Sequence, residues 1–333
     1  MIHSDHCTRR KFLSASASCG AYLAAIAPIL GPAALRRWRA AIGGRVVAQT
    51  PFARIEEVGA NMYAIISTPL EGDFTTTCNG GIVGGSSGTL VYEAFNTPEG
   101  AKWVAEQARD LTGRWPDHVV VSHFHGDHSA GPAGFVRDNG RAPALRATRA
   151  TQELVQESRG DAILPPWADV TVLSEDGPLN VDLGDRMVAV VPRRGHTASD
   201  VTIEVDGGEG PVWCGDLVWN AMFPNYTHAV PSQLSRTVRA LQAMPASTYV
   251  PGHGPLTDDA AMTGYVALID LVEEAARAAW RRGMGPDEAA EAFEVPASLG
   301  EWYVFNPSFY QRAMQAWMSE LDTGSPSTLN APV

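Results

Sequence analysis

The chain has 333 residues, 45% of them hydrophobic, enough to bury one large core or two small ones; fibrous and disordered classes are excluded. Its formal charge of −12 is unevenly spread, because residues 1–48 hold seven Lys or Arg against Asp5 alone and so sum to +6, leaving −18 for the rest. A body that acidic, with no basic stripe, argues against DNA or RNA as a substrate. Four Cys, two of them in the first 48 residues, give neither a disulfide framework nor a cysteine metal spacing.

The first segment in chain order is Thr8-Arg9-Arg10-Lys11-Phe12-Leu13-Ser14, followed by an uncharged Ala-rich stretch to Leu35 that Pro28 and Pro32 interrupt. A cationic run that stays at the cytoplasmic face, then a moderately apolar run that enters the bilayer, is the physical order of an export signal. These residues resemble a twin-arginine signal; the alternative is a disordered basic tail with an Ala-rich helix behind it. The resemblance implies the twin-arginine export machinery as a partner and a periplasmic or extracellular location, membrane-anchored if the leader is retained. Val46-Val47-Ala48 offers small residues for cleavage, and Ala34 is another candidate.

From Phe52 onward, short β-branched runs separated by Gly and Pro predict strands at Arg54–Val58, Met62–Ser67, Gly81–Val83 and Thr89–Tyr92. Thr97 as cap, Pro98 at the first position, a stripe of Trp103, Val104, Ala108 and Leu111, and a closing Gly113 predict a helix. Further strands are expected at Val119–Val121, Ala144–Ala147, Val170–Leu173, Met187–Val191, Val201–Val205, Val212–Cys214 and Thr248–Val250, with a helix near Thr151–Ser158. Strands followed by strand–helix alternation predict an α/β layered domain with sheets inside and helices outside. Beyond Asp258, Met262, Tyr265, Val266, Ile269, Val272, Ala276 and Trp280 form a helical stripe ended by Gly283. A second aromatic helix is expected over Ser308–Leu321, and a loose Ser/Pro-rich end after Thr323.

Chemistry concentrates in His123-Phe124-His125-Gly126-Asp127-His128, which holds three of the seven His beyond the leader. It follows the strand at Val119–Val121, so His123 and His125 can point to one side while Gly126 permits a turn that sends Asp127 and His128 to another. One loop can thus serve two adjacent metals; imidazoles with a carboxylate suit zinc, and also iron or manganese. His196 in Gly-His-Thr, Asp216 in Gly-Asp and His253 in Gly-His-Gly each follow a short apolar run and a Gly.

In this order, HxHxDH, GHT, GD and GHG resemble the metallo-β-lactamase superfamily of dinuclear metallohydrolases. The resemblance spans Asn79 to His253 and implies an αββα sandwich with its metals at one edge of the two sheets, to which the helical stripes beyond Asp258 add a C-terminal helical extension. Together with the leader and the helical stripes, it divides the chain into 1–48 as export signal and linker, 49–258 as the catalytic domain, and 259–333 as a helical extension packing on it. The resemblance also implies two Zn2+ ions, one held by His123, His125 and His196, the other by Asp127, His128 and His253, with Asp216 bridging. Asn79 matches the family's early strand, whereas Glu93 stands where Asp is usual. A water shared by two metals loses its proton near neutral pH and becomes the nucleophile; Asp127 is expected to orient it and pass on a proton. Asp200, four residues after His196, is a candidate partner for a ligand imidazole. Trp219, Phe223 and Tyr226, just after Asp216, are candidates for the wall of the substrate pocket. His228 belongs to no motif and is expected at the surface or rim.

The leading expectation is an exported dinuclear zinc hydrolase acting on a small ester, lactone, thioester or amide. A β-lactamase is the alternative, although such enzymes normally carry Cys or a displaced ligand where this chain has Asp216. Glyoxalase-like and lactonase-like branches share the Asp; lactonases carry Tyr three residues later, where this chain has Trp219. His123, His196 and Asp216 alone could make an iron site for persulfide-type dioxygenase chemistry, but that would leave Asp127, His128 and His253 idle. A non-catalytic binding protein on the same fold is a further class, disfavoured because no ligand is missing.

Overall fold

The computed structural model describes residues 43–159, 167, 170–174 and 177–329; the twin-arginine segment and its apolar run lie outside them. One sheet is built, in spatial order, from Arg45–Gln49 (β1), Ala53–Gly59 (β2), Met62–Ser67 (β3), Gly80–Gly84 (β4), Thr89–Tyr92 (β5), His118–Val120 (β6), Ala144–Thr148 (β7) and Thr171–Leu173 (β8). The pairs from β1 to β5 are antiparallel, and those from β5 to β8 are parallel. Parallel neighbours need crossovers, supplied by Pro98–Thr112 (α1) before β6, Gly126–Ser129 (α2) before β7 and Arg149–Arg159 (α3) before β8. Thr97 caps α1 by accepting from Gly100 N at 3.1 Å, and Gly113 closes it with φ 77°.

The second sheet orders Leu179–Asp182 (β9), Met187–Arg193 (β10), Asp200–Val205 (β11), Pro211–Trp219 (β12) and Thr248–His253 (β13). Its pairs are antiparallel except β12 with β13, which are parallel and connected through Pro231–Gln242 (α4). β10, β12 and β13 therefore run the same way, and their carboxyl ends share one edge of the sheet. That is where open sheets carry their sites.

Alternation along each strand separates three buried layers. On β3, Met62, Ala64 and Ile66 meet the second sheet, while Tyr63 and Ile65 join α1 and α3 on the outer face. On β12, Trp213 enters the layer between the sheets, while Val212 and Cys214 face α4, Asp259–Arg281 (α5), Pro286–Glu291 (α6) and Phe309–Leu321 (α7). The fold is the expected αββα sandwich with C-terminal helices. Gly81 shows how closely the sheets approach: a Cβ there would stand 2.0 Å from Trp213 Nε1, whose N–H donates to Gly80 O at 3.1 Å.

Several expectations need correction. β1 pairs with β2, and Gly43 N and Gly44 N donate to the buried Glu56 carboxylate at 2.8 and 2.9 Å, so the boundary drawn at residue 48 falls inside a strand. Residues 324–329, expected to be loose, are tied down: Arg277 donates to the carbonyls of Ser325 and Pro326, and Thr328 N and Oγ1 donate to buried Glu273. Trp280, placed in the apolar stripe, is 41% exposed and donates from Nε1 to Asp322. α4 was not predicted, although Leu234, Val238 and Leu241 lie on one buried face behind Pro231. Among the described residues no helix is long and apolar enough to cross a membrane.

Candidate active site

β6 hands the chain to His123, and the motif divides as its spacing suggests, by a different device. Gly126 opens the single helical turn α2 instead of a left-handed bend, with His128 N donating to His125 O at 3.1 Å and Ala130 N to Gly126 O at 2.9 Å. His123 and His125 leave before that turn; Asp127 and His128 leave from within it. The nitrogens His123 Nε2 and His196 Nε2 stand 2.9 and 3.0 Å from His125 Nδ1, while His253 Nε2 stands 3.2 Å from Asp127 Oδ2.

Asp216 lies between these groups. Its Oδ2 is 3.2 Å from His196 Nε2 and 4.0 Å from His123 Nε2; its Oδ1 is 3.1 Å from His128 Nε2 and 3.3 Å from His253 Nε2. Register irregularities in the β12–β13 pairing lie just before it, at Trp213–Gly215, and across it, at Gly215–Trp219, the local distortion by which a strand re-aims a side chain. Two sets of potential ligand atoms result, His123, His125, His196 and Asp216 in one and Asp127, His128 and His253 in the other, each within 4.8 Å of one another. His128 Nε2 and Asp216 Oδ1 are buried and face each other at 3.1 Å without a well-aligned hydrogen bond. Nitrogen and oxygen donors turned inward in one buried cluster fit metal ions.

The electrostatics follow from burial and mutual proximity. Burial pushes His123 and His125 well below the ordinary imidazole range and lowers His196 to about 4. For His253 burial acts the same way, but Asp216 and Asp127 outweigh it and lift the imidazole to about 9. Burial would raise Asp127, but His128 and His253 bring it to about 2; Asp216 is held low likewise by His253, His128 and His196. Both carboxylates are therefore ionised, with imidazolium supplying the charge that a bound cation would supply in its place.

Surrounding groups orient the ligands. Asn79 donates to Pro251 O and Gly254 O at 2.9 and 2.7 Å and accepts from Ser67 N, bracing the turn that carries His253. Glu93 does reach the site despite its extra methylene: Oε1 is 3.1 Å from His128 Nδ1, and Oε2 accepts from Ser122 N at 3.2 Å. Its backbone has φ 81°, an uncommon conformation for a side-chain-bearing residue. Ser122 Oγ, not predicted, is 2.8 Å from His123 Nδ1; its position next to the motif was the only signal. His228, expected at the rim, is exposed, and its Nδ1 is 2.8 Å from His125 Nε2.

Other expectations fail. Asp200 does not meet the His196 ring; it accepts from Thr197 N and Oγ1 and so closes the turn beneath that ligand. Phe223 and Tyr226 are 0% and 1% exposed within the core of the C-terminal helices and line no open pocket. Trp219 is buried too: it lies against His253, ring centroids 4.2 Å apart, and donates to Asp216 O at 3.1 Å. Apolar residues after a ligand fit a core as well as a cleft, and here the core took them.

Gly252 packs against the Asp216 carboxylate, because a Cβ there would stand 2.0 Å from Asp216 Oδ1 and 2.7 Å from Gly215 C. Gly252→Ala should displace Asp216 and lower metal content by about tenfold or more at a fixed free-metal level, with the far-UV circular dichroism spectrum retained; unchanged metal content would refute the contact's importance. Burial raises Asp200 to about 7 against the opposing Thr197 bonds. The folded pKa lies above the ordinary 3.8, so this group favours folding most below about 4, and that contribution is lost as pH rises through about 7. Asp200→Asn should therefore gain stability on the wild type between pH 5 and pH 8, read from urea midpoints of the metal-free proteins.

Residues 74–253, over half the chain, match the model of the metallo-β-lactamase superfamily. A hydroxyacylglutathione hydrolase from Acidiphilium cryptum (strain JF-5) is 28% identical over 215 residues, 64% of this chain and 79% of that protein. Among solved structures, a metallo-β-lactamase from Erythrobacter litoralis aligns with TM-score 0.55 at 18% identity, over 67% of this chain and 98% of its own. The stereoselective inverting sec-alkylsulfatase Pisa1 from Pseudomonas sp. aligns with TM-score 0.62 at 15% identity, over 84% of this chain but about half, 52%, of its own; at such identities the likeness is one of fold. With the fold, the family match and the ligand sets in agreement, the chain belongs to the metallo-β-lactamase superfamily and is a metal-dependent hydrolase.

Proposed function

We propose that this chain is an exported dinuclear zinc hydrolase of small acyl esters, lactones or thioesters. The observation that carries the two-ion reading is Asp216, one buried carboxylate with an oxygen turned to each ligand set. His123, His125 and His196 would hold one ion, Asp127, His128 and His253 the other, and Asp216 both. When bound, such ions supply Lewis acidity toward a carbonyl oxygen and bring the pKa of water into the neutral range. His and Asp donors suit zinc, and also iron or manganese. The name of the Acidiphilium cryptum relative supports a thioester among the candidate substrates.

The chain's own groups have distinct tasks. Asp127 is the carboxylate that faces outward, its side chain 26% exposed against 4% for Asp216. Ionised and held by His253, it can orient a water and accept its proton, then return that proton to the leaving group. Trp219 keeps water from the back of His253, so the open side of the site is the side of Asp127 and His125. Removing Asp127's charge while keeping its shape, Asp127→Asn, should lower kcat by about 100-fold or more and change KM little, because the lost interaction belongs to the transition state. Assay against chromogenic thioester, ester, lactone, β-lactam and sec-alkyl sulfate substrates tests the class: a β-lactam or sulfate kcat/KM above every acyl ester and thioester would overturn it.

Export is supported by Arg9-Arg10 and the apolar run after them, in the order of a twin-arginine signal. Replacing both Arg by Lys should retain the protein in the cytoplasm; equal amounts in the periplasmic fraction would defeat this part of the proposal.

A further inference from the structure

Three of the ligand imidazoles have a partner on the nitrogen that faces away from the site. For His123 it is Ser122 Oγ and for His128 it is Glu93; for His125 it is the exposed ring of His228, 2.8 Å from Nε2. His125 turns Nδ1 toward His123 and His196, so as a ligand it must carry its proton on Nε2. His228 Nδ1 can accept that proton's hydrogen bond only if its own proton is on Nε2, facing solvent. The two requirements agree, and no other arrangement of protons satisfies both.

The loop that presents His228 is itself fixed. Asn225 Oδ1 accepts from Thr227 N and Oγ1 at 3.1 and 2.6 Å, and Arg312 of α7 donates to Thr227 Oγ1 at 2.9 Å while lying over the Phe309 ring. Val230 N donates to Gly195 O at 2.9 Å, tying the loop's other end to the turn that carries His196. Phe124, inside the HxHxDH motif, meets the His228 ring with centroids 5.1 Å apart.

We propose that His228 is a positioning residue that sets the tautomer and angle of His125, and that α7 acts on the first ligand set through Arg312, Thr227 and His228. This rests on the reading of His123, His125 and His196 as holders of a metal ion. A residue that orients a ligand imidazole contributes about 10- to 100-fold in metal affinity. His228 does so from a loop after β12, contributed by neither the HxHxDH segment nor any other motif of the site.

The test measures zinc affinity of the full chain by competition with a chromophoric chelator, together with the visible spectrum of the cobalt-substituted protein. His228→Ala should weaken zinc binding by about 10- to 100-fold and shift the cobalt bands, at an unchanged thermal midpoint of the metal-free protein. His228→Gln, whose amide oxygen can accept the same bond, should restore affinity to within about threefold and return the bands toward the wild type. Arg312→Ala should shift the cobalt bands in the same direction as His228→Ala. A wild type that binds no zinc would overturn the underlying metal reading, and the proposal with it. A wild type that binds zinc, with His228→Ala equal to it in affinity and spectrum, would overturn the positioning role alone. So would His228→Gln as weak as His228→Ala, since the loop and not the accepting atom would then matter.

Discussion

The burial of one charge, on Asp216, governs the rest of the architecture. A carboxylate that is 4% exposed is tolerable only where opposite charge surrounds it. Four imidazoles do so, two from the β6 loop, one from the β10 turn and one from β13, so three distant parts of the chain must meet there. The parallel pairing of β12 and β13 brings His253 beside Asp216, and the β12 irregularity aims the carboxylate at both sets. Gly252 exists where any larger residue would collide with it. Sheet order, strand direction and local distortion are all answers to the same electrostatic demand.

The C-terminal helices are joined to that demand through apolar contact. Trp219 lies between His253 and Phe309 of α7, and the 221–223 segment beyond it exchanges backbone hydrogen bonds with Tyr303. Trp219 thus forms the floor under His253. The helices share one continuous core with β12 and β13, so they are structural parts of the centre and not an appended unit.

The ligand residues were legible because metal chemistry restricts residue type and spacing so strongly: three His and an Asp within six positions, each later ligand behind an apolar strand and a Gly. The strands around them were legible from β-branched runs, and α1 from Thr97, Pro98 and Gly113. What escaped depended on contacts between segments distant in the chain. Phe223 and Tyr226 have the same apolar character whether they face a cleft or a core, and only packing against α7 decides. Asp200 has the spacing to reach His196, yet Thr197 intercepts its carboxylate. Ser122 and His228 carry no pattern of their own and acquire meaning from the nitrogen they stand beside.

The split of HxHxDH between two ligand sets has a consequence for the order of events in folding. In an unfolded chain, His123, His125, Asp127 and His128 are within reach of a single ion and form a local chelate at almost no loop-closure cost. In the native structure α2 sends the two pairs apart, and the remaining ligands lie up to 130 residues downstream, as far as His253. An ion gripped by all four at the outset opposes that turn and stabilises the unfolded chain, since binding to the unfolded state subtracts from folding. The native centre exists only once both sheets have docked, a late event for contacts of such long range. A folded chain, in which α2 has already separated the two pairs, therefore offers each ion its native ligands without that competing local chelate.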